Sequence, residues 1–322
     1  MLVEGHLLGY KVGQQSGDVH YSISNAHAIL HTDYVAGQSF DVVQKNILDF
    51  MSKLEIHGLK LFNKYPILLL SQIMVLKEGL HMAGVAHVER FPTEDGILTE
   101  GTGPFFLVLG KVFHLSRAFL FRKMDEASRN IDISEAFAES YHQLNPHFLF
   151  GFLFEGLLSF LLARQSSDRI ESANWIERGQ SVLAKMRCLS DHSLWNWENK
   201  TLLLEAECMH TKGEFDRAGS FYDNAIRSAH EHKFIHEEAI ASELAGIFYY
   251  ERGIRQKSYT CLVHSVECYA KWGAHAVARR VETVIGEYFG TVNDQVVSSA
   301  DISLENLIPK SQRSRKKRGG QL

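Results

Sequence analysis

The chain has 322 residues, 45% apolar, 22% charged and 11% aromatic, which excludes a largely disordered or fibrous chain and suffices to bury a sizeable core. The formal charge of −4 is uneven: the last 14 residues hold six cations (Lys310, Arg313, Arg315, Lys316, Lys317, Arg318) and no acid, leaving 28 basic against 38 acidic residues elsewhere. That acidic body, at −10, excludes a broad nucleic-acid surface, and the four cysteines at 188, 208, 261 and 268 show no C-x-x-C spacing and no disulfide framework. A reducing, cytoplasmic setting follows.

Proline occurs only 5 times, so little interrupts helices, and no stretch alternates as a strand would. Apolar residues at three- and four-residue spacing predict helices near 2–15, 18–32, 40–57, 59–82, 104–124, 133–142, 146–164, 168–187, 194–212, 215–231, 235–252, 255–271 and 274–289. Pro104 and Pro146 sit where a first helical turn tolerates them. The organisation expected is N-terminal helical pairs over 1–90, a loop over 91–103, C-terminal pairs over 104–289 and a disordered basic tail over 290–322.

The N-terminus lacks the charged-then-apolar layout of a signal peptide, with Glu4 and His6 interrupting it. The most apolar run, FLFGFLFEGLLSFLLA over 148–163, has 16 residues with Glu155 at its middle. A bilayer span needs about 20, and a carboxylate there is costly, so the run reads as a buried core helix. The stretch 104–121 carries Lys111, His114 and Arg117 and reads the same way. No membrane partner is expected; a membrane-associated helical protein is the weaker alternative.

Two helical pairs align on small residues at their turns. Leu202, Ala206 and Met209 precede Gly213, with Ala218, Tyr222 and Ala225 after it; Gly246 and Tyr249 precede Gly253, with Ser258, Leu262 and Ser265 after it. Weaker copies begin at Gly156 and at Gly9. Small residues allow close helix approach, and the turn glycine supplies a left-handed cap. The expected fold class is all-α, a tetratricopeptide-like superhelix of antiparallel helix pairs whose period is longer than the usual 34.

Within 194–285, Asn199-Lys200, Leu204-Glu205-Ala206-Glu207, Tyr222-Asp223-Asn224-Ala225-Ile226, Glu237-Glu238-Ala239, Glu243-Leu244-Ala245 and Trp272-Gly273-Ala274 stand out. Upstream, 152–165 and 6–26 belong with them. These stretches resemble the tetratricopeptide-like helical segment of large multidomain signalling proteins. In those, serine/threonine kinase-like and AAA-type ATPase domains precede the array, and GAF and sensor histidine kinase domains often follow. The resemblance implies a scaffold, possessing no catalytic residues to carry across, that is one regulatory segment of a larger kinase/ATPase protein or a free-standing adaptor.

No chemistry competes strongly with that. The nearest phosphate loop, Gly110-Lys111, has Val112 where a hydroxyl belongs and Phe105 where the first glycine belongs; Gly101-Thr102-Gly103 follows no strand. Among 17 histidines, His232 and His236 are four apart beside Glu237 and Glu238, the spacing that can share zinc, but no Glu follows the first His. A metal-dependent enzyme using this His-rich turn at 230–236 is the alternative function; a solvated turn is preferred. His27 and His31 read likewise, and Cys261 and Cys268 read as small core residues. No cofactor, metal or catalytic residue is therefore expected.

By repeat phase, Lys200, Leu203, Glu207, His210, Glu243, Ile247 and Tyr250 face a concave groove that takes a protein or peptide partner. Trp195, Trp197 and Trp272 read as packing residues. The tail residues Arg313, Arg315, Lys316, Lys317 and Arg318 form a candidate nuclear-import signal, which phosphorylation of Ser311 or Ser314 would weaken. The first helix has no polar capping neighbour before it, and self-association through that end is expected.

Overall fold

A computed structural model of the chain describes residues 2–80, 104–129, 131 and 146–290. Among the described residues all regular structure is helical: α1 (Leu2–Ser16), α2 (Val19–Val35), α3 (Phe40–Ile56), a 3-10 turn (Lys60–Asn63), α4 (Lys64–Glu78), α5 (Pro104–Leu120), α6 (Met124–Arg129) and α7 (Pro146–Gln165). There follow α8 (Arg169–His192), α9 (Leu194–Thr211), α10 (Phe215–Glu231), α11 (Ile235–Glu251), α12 (Arg255–Trp272) and α13 (His275–Phe289). The all-α expectation holds.

Local chemistry sets the ends of these helices. Asp18, Ser39 and Asp168 each accept a backbone N–H of the helix they open, from Tyr21, Asp41 and Ile170. The later helices use a different device. Residues 213, 233, 253 and 273 all have left-handed backbones, with φ of 76°, 64°, 73° and 99°, and stand 20 residues apart. Each is followed by an N-cap in one narrow region: Glu214, Phe234, Ile254 and Ala274 have φ between −87° and −81° and ψ between 58° and 76°. At each turn the N-cap residue donates its N–H to a carbonyl five residues back, as Ile254 does to Tyr249 at 2.9 Å. One turn thus joins successive helices, and α10 and α11 have 17 residues each.

From α7 onward each helix packs on the next, and α7 also touches α5, α6 and α9. Residues 150–160 of α7 are buried without a break, which is the all-round burial its mostly apolar sequence calls for. Among the described residues no helix is long and apolar enough to cross a membrane.

The last described helix meets the N-terminal helices. Helix α13 lies against α4, and the Arg279 guanidinium donates to the Glu78 carbonyl at 3.3 Å. Beside that contact, Phe40 stacks on Tyr34 and lies 4.4 Å from Trp272, whose ring is also 5.2 Å from His236. Gly37 backs onto His236, and Gly273 onto Phe40, so closely that a Cβ at either would stand 2.5 and 2.9 Å from them. Trp272 is 1% exposed, so this aromatic group is the join between the N-terminal helices and the array.

Three expected helices have different bounds. The stretch 59–82 starts as a 3-10 turn and its α-helix ends at Glu78, where Gly79 has φ 123°. The stretch 104–124 breaks after Leu120, because Arg122 turns left-handed at φ 58° and Lys123 donates back to the Ala118 carbonyl. Helix α8 runs on to His192, with Ser193 the single joint before α9. The helix expected over 133–142, the loop over 91–103 and the tail beyond 290 lie outside the described residues.

Candidate functional site

The helices α9 and α11, each followed by a left-handed turn glycine (Gly213 and Gly253), both carry carboxylates inward. Glu207 is 1% exposed; it receives Arg164 of α7 at 2.6 Å and the Tyr222 hydroxyl of α10. Glu243, also 1% exposed, receives Arg122, Arg280 of α13 at 2.7 Å and the Tyr269 hydroxyl at 3.0 Å. Glu237 receives Lys200 at 2.7 Å and Asn199. Burial alone would raise these carboxyls. For Glu243 the two guanidiniums outweigh it and hold the group at about 2; for Glu237, Lys200 and His236 do the same, also to about 2. Glu155, in the middle of α7, is matched by Arg178 of α8 at 3.0 Å.

This arrangement accounts for most of the residues expected to face a groove. Lys200, Leu203, Glu207, His210 and Glu243 are buried. The polar atoms of four of them are taken up inside the chain, His210 pairing with Glu251 at 3.1 Å. Ile247 packs against the core, and Tyr250 stacks on Tyr288 at 3.7 Å. On this face α9 meets Arg164 of α7, and α11 meets Arg122, just past α5, and Arg280 of α13. The basic-tail residues Arg313, Arg315, Lys316, Lys317 and Arg318 lie outside the described residues.

The His-rich turn is taken apart by its own fold. His232 caps the end of α10, and its ring lies 4.5 Å from Trp195, whereas His236 is 0% exposed among Phe150, Phe234 and Trp272. Trp195 stays 59% exposed. His27 is half-buried against Phe50 and Tyr65, and the loss of solvent around it lowers its pKa to about 4. Neither histidine pair belongs to a group of three or more converging donors among the described residues. A different set forms one: Glu238, His264 and Cys268 place their donor atoms within 4.8 Å of one another. Cys261 is buried and its thiol is pushed up to about 12 by that burial and by Asp223.

An open cleft of about 760 Å³ lies over the turns at Gly213 and Gly253, one helical pair apart. Phe215 and Ile254, 37% and 48% exposed, offer it apolar surface. Arg252 lies 3.9 Å over the Phe215 ring, Arg217 pairs with Glu214 at 2.5 Å, and Lys257 pairs with Asp223 at 2.7 Å. Sequence reasoning missed this cleft because it is built where the first turns of α10 and the end of α11 come together around two turns, not along one inner helix face. The signal was there in the apolar Ile254, directly after Gly253, and Phe215, two residues after Gly213. Comparison with protein-family models, with curated proteins and with solved structures finds no match to this chain.

Proposed function

We propose that the chain is a non-catalytic, tetratricopeptide-like helical scaffold that holds a segment of another protein in signal transduction. The observation that supports this best is the recurrence of one left-handed turn every 20 residues from 213 to 273. Two of these turns, equivalent by that recurrence, present apolar Phe215 and Ile254 in one cleft with cations and acids on its rim. A groove of that size fits an extended peptide with an apolar side chain between Phe215 and Ile254 and charges of both signs beside it. The buried ion pairs fit a scaffold rather than an active site, since each carboxylate is already matched by cations and hydroxyls. Any kinase or ATPase activity would belong to domains beyond these residues, and a cytoplasmic setting, with nuclear entry through the basic tail, belongs to the same proposal. The apolar face of α1, where Leu7, Leu8 and Val12 are 43%, 64% and 48% exposed, is the surface for self-association.

The test is site-specific photo-crosslinking in cells, with the reactive side chain at Phe215 or at Ile254, and at Ile170 on α8 as the control. One discrete adduct from both cleft positions, absent from Ile170 and lost on Arg252→Glu, is expected. Adducts that are equal at all three positions, or absent from the cleft, would overturn the reading.

A further inference from the structure

We propose that His230, Glu238, His264 and Cys268 form a zinc(II) site that clips α10, α11 and α12 together. The four residues come from three consecutive helices. His264 and Cys268 are four apart on α12 and so share a face. Glu238 reaches them from α11, and His230 from the last turn of α10. The His264 Nε2 lies 2.7 Å from Glu238 Oε1 and 3.4 Å from the Cys268 sulfur, and the His230 Nδ1 lies 3.0 Å from the same Glu238 oxygen.

The donor set is one zinc takes: a thiolate, two imidazoles and a carboxylate. Bonds of about 2.0–2.3 Å in a tetrahedron put neighbouring donors roughly 3.3–3.8 Å apart. Three of the donor atoms, those of Glu238, His264 and Cys268, already fall within 4.8 Å of one another, and His230 reaches the same Glu238 oxygen from the end of α10, so the shell closes when its ring turns towards the other three. A sulfur donor excludes magnesium and calcium, which take oxygen.

Without a cation the contacts compete. When the His264 Nε2 proton is given to Glu238, the same nitrogen offers no lone pair to the Cys268 thiol beside it. A divalent ion resolves this, and its two charges balance one thiolate and one carboxylate in a place where Glu238 and Cys268 are buried. Binding releases the thiol proton of Cys268 to solvent, and both imidazoles bind neutral with their protons on the ring nitrogen facing away. With four protein donors the shell is closed, which marks a structural rather than a catalytic ion. The His230 side chain, 55% exposed, gives the ion its way in.

The full chain, stripped with chelator and dialysed against zinc alone, should retain about one equivalent. Cobalt(II) in its place should show the intense visible bands of a tetrahedral ion and a near-ultraviolet thiolate charge-transfer band. Cys268→Ser should remove that band and weaken zinc by at least roughly tenfold, and Cys261→Ser should leave both intact. His230→Ala, at an exposed position, weakens binding with the helical circular dichroism unchanged, so the site is testable even if Cys268→Ser fails to fold. A folded wild-type chain that takes up no zinc, or a charge-transfer band that survives Cys268→Ser, overturns the proposal.

Discussion

At the scale of single residues, the informative positions are those where chemistry and backbone disagree with the residue type. Lys233 occupies the left-handed turn position that glycine fills at 213, 253 and 273. A side chain there costs about 1 kcal/mol. Lys233→Gly is therefore expected to stabilise the chain by roughly 0.5–1 kcal/mol, read as a higher urea midpoint at unchanged slope. Glu243 is the opposite case, a charge that the fold needs. Its carboxyl is held at about 2 in the folded chain, against 4.5 for the free group. The unfolded chain thus binds this proton first as pH drops, so the stability contributed above pH 4.5 is lost as pH falls towards 2. Glu243→Gln should flatten that acid limb and cost about 3 kcal/mol at neutral pH, because Arg122 and Arg280 are left without their counter-charge. Urea titrations at stepped pH values check both. The sequence marked Glu243 as inward, but Arg122 is 121 residues away, a pairing no local pattern encodes.

At the scale of helices, packing follows small residues. The Gly246 backbone lies so close to α12 that a Cβ would stand 2.6 Å from Leu262 Cγ and 3.2 Å from its backbone nitrogen. The Ser258 hydroxyl donates to the Gly246 carbonyl at 2.7 Å, fixing the approach. Gly246→Ala should therefore cost about 1–3 kcal/mol. Gly286, in the last turn of α13 with open space around it, gives the contrasting case: Gly286→Ala should stabilise by about 0.5–1 kcal/mol. Thermal melts of the two variants should move in opposite directions. This much was legible, since Gly246 stood where Ala206 does, and Gly253 where Gly213 does, in two aligned helical pairs. What was not legible was the break at Arg122 or the left-handed Lys233, because neither residue type announces a positive φ. Likewise the spacing of His264 and Cys268 on one helix is visible in the sequence, but Glu238 and His230 join them only when α10, α11 and α12 pack.

At the scale of the whole molecule, the meeting of α13 with α4 changes how the chain should unfold. In an open array each unit touches only its neighbours, so segments can melt in succession. Here Tyr34 of α2 and Phe40 of α3, among the N-terminal helices, share one buried aromatic group with Trp272 of α12, in the array, and Trp272 is 1% exposed. Losing either part uncovers the other. The chain is thus expected to unfold in one transition, with tryptophan fluorescence and far-ultraviolet circular dichroism coinciding across a denaturant series. Trp272→Ala removes the ring that lies between α3 and α11. It should cost about 3–5 kcal/mol and, more tellingly, separate the two signals, because the N-terminal helices then lose their hold on the array while the ion pairs of Glu207 and Glu237 remain. Coincident curves in that variant would mean that the α13–α4 contact, with Arg279 on the Glu78 carbonyl, is enough to couple the two parts by itself.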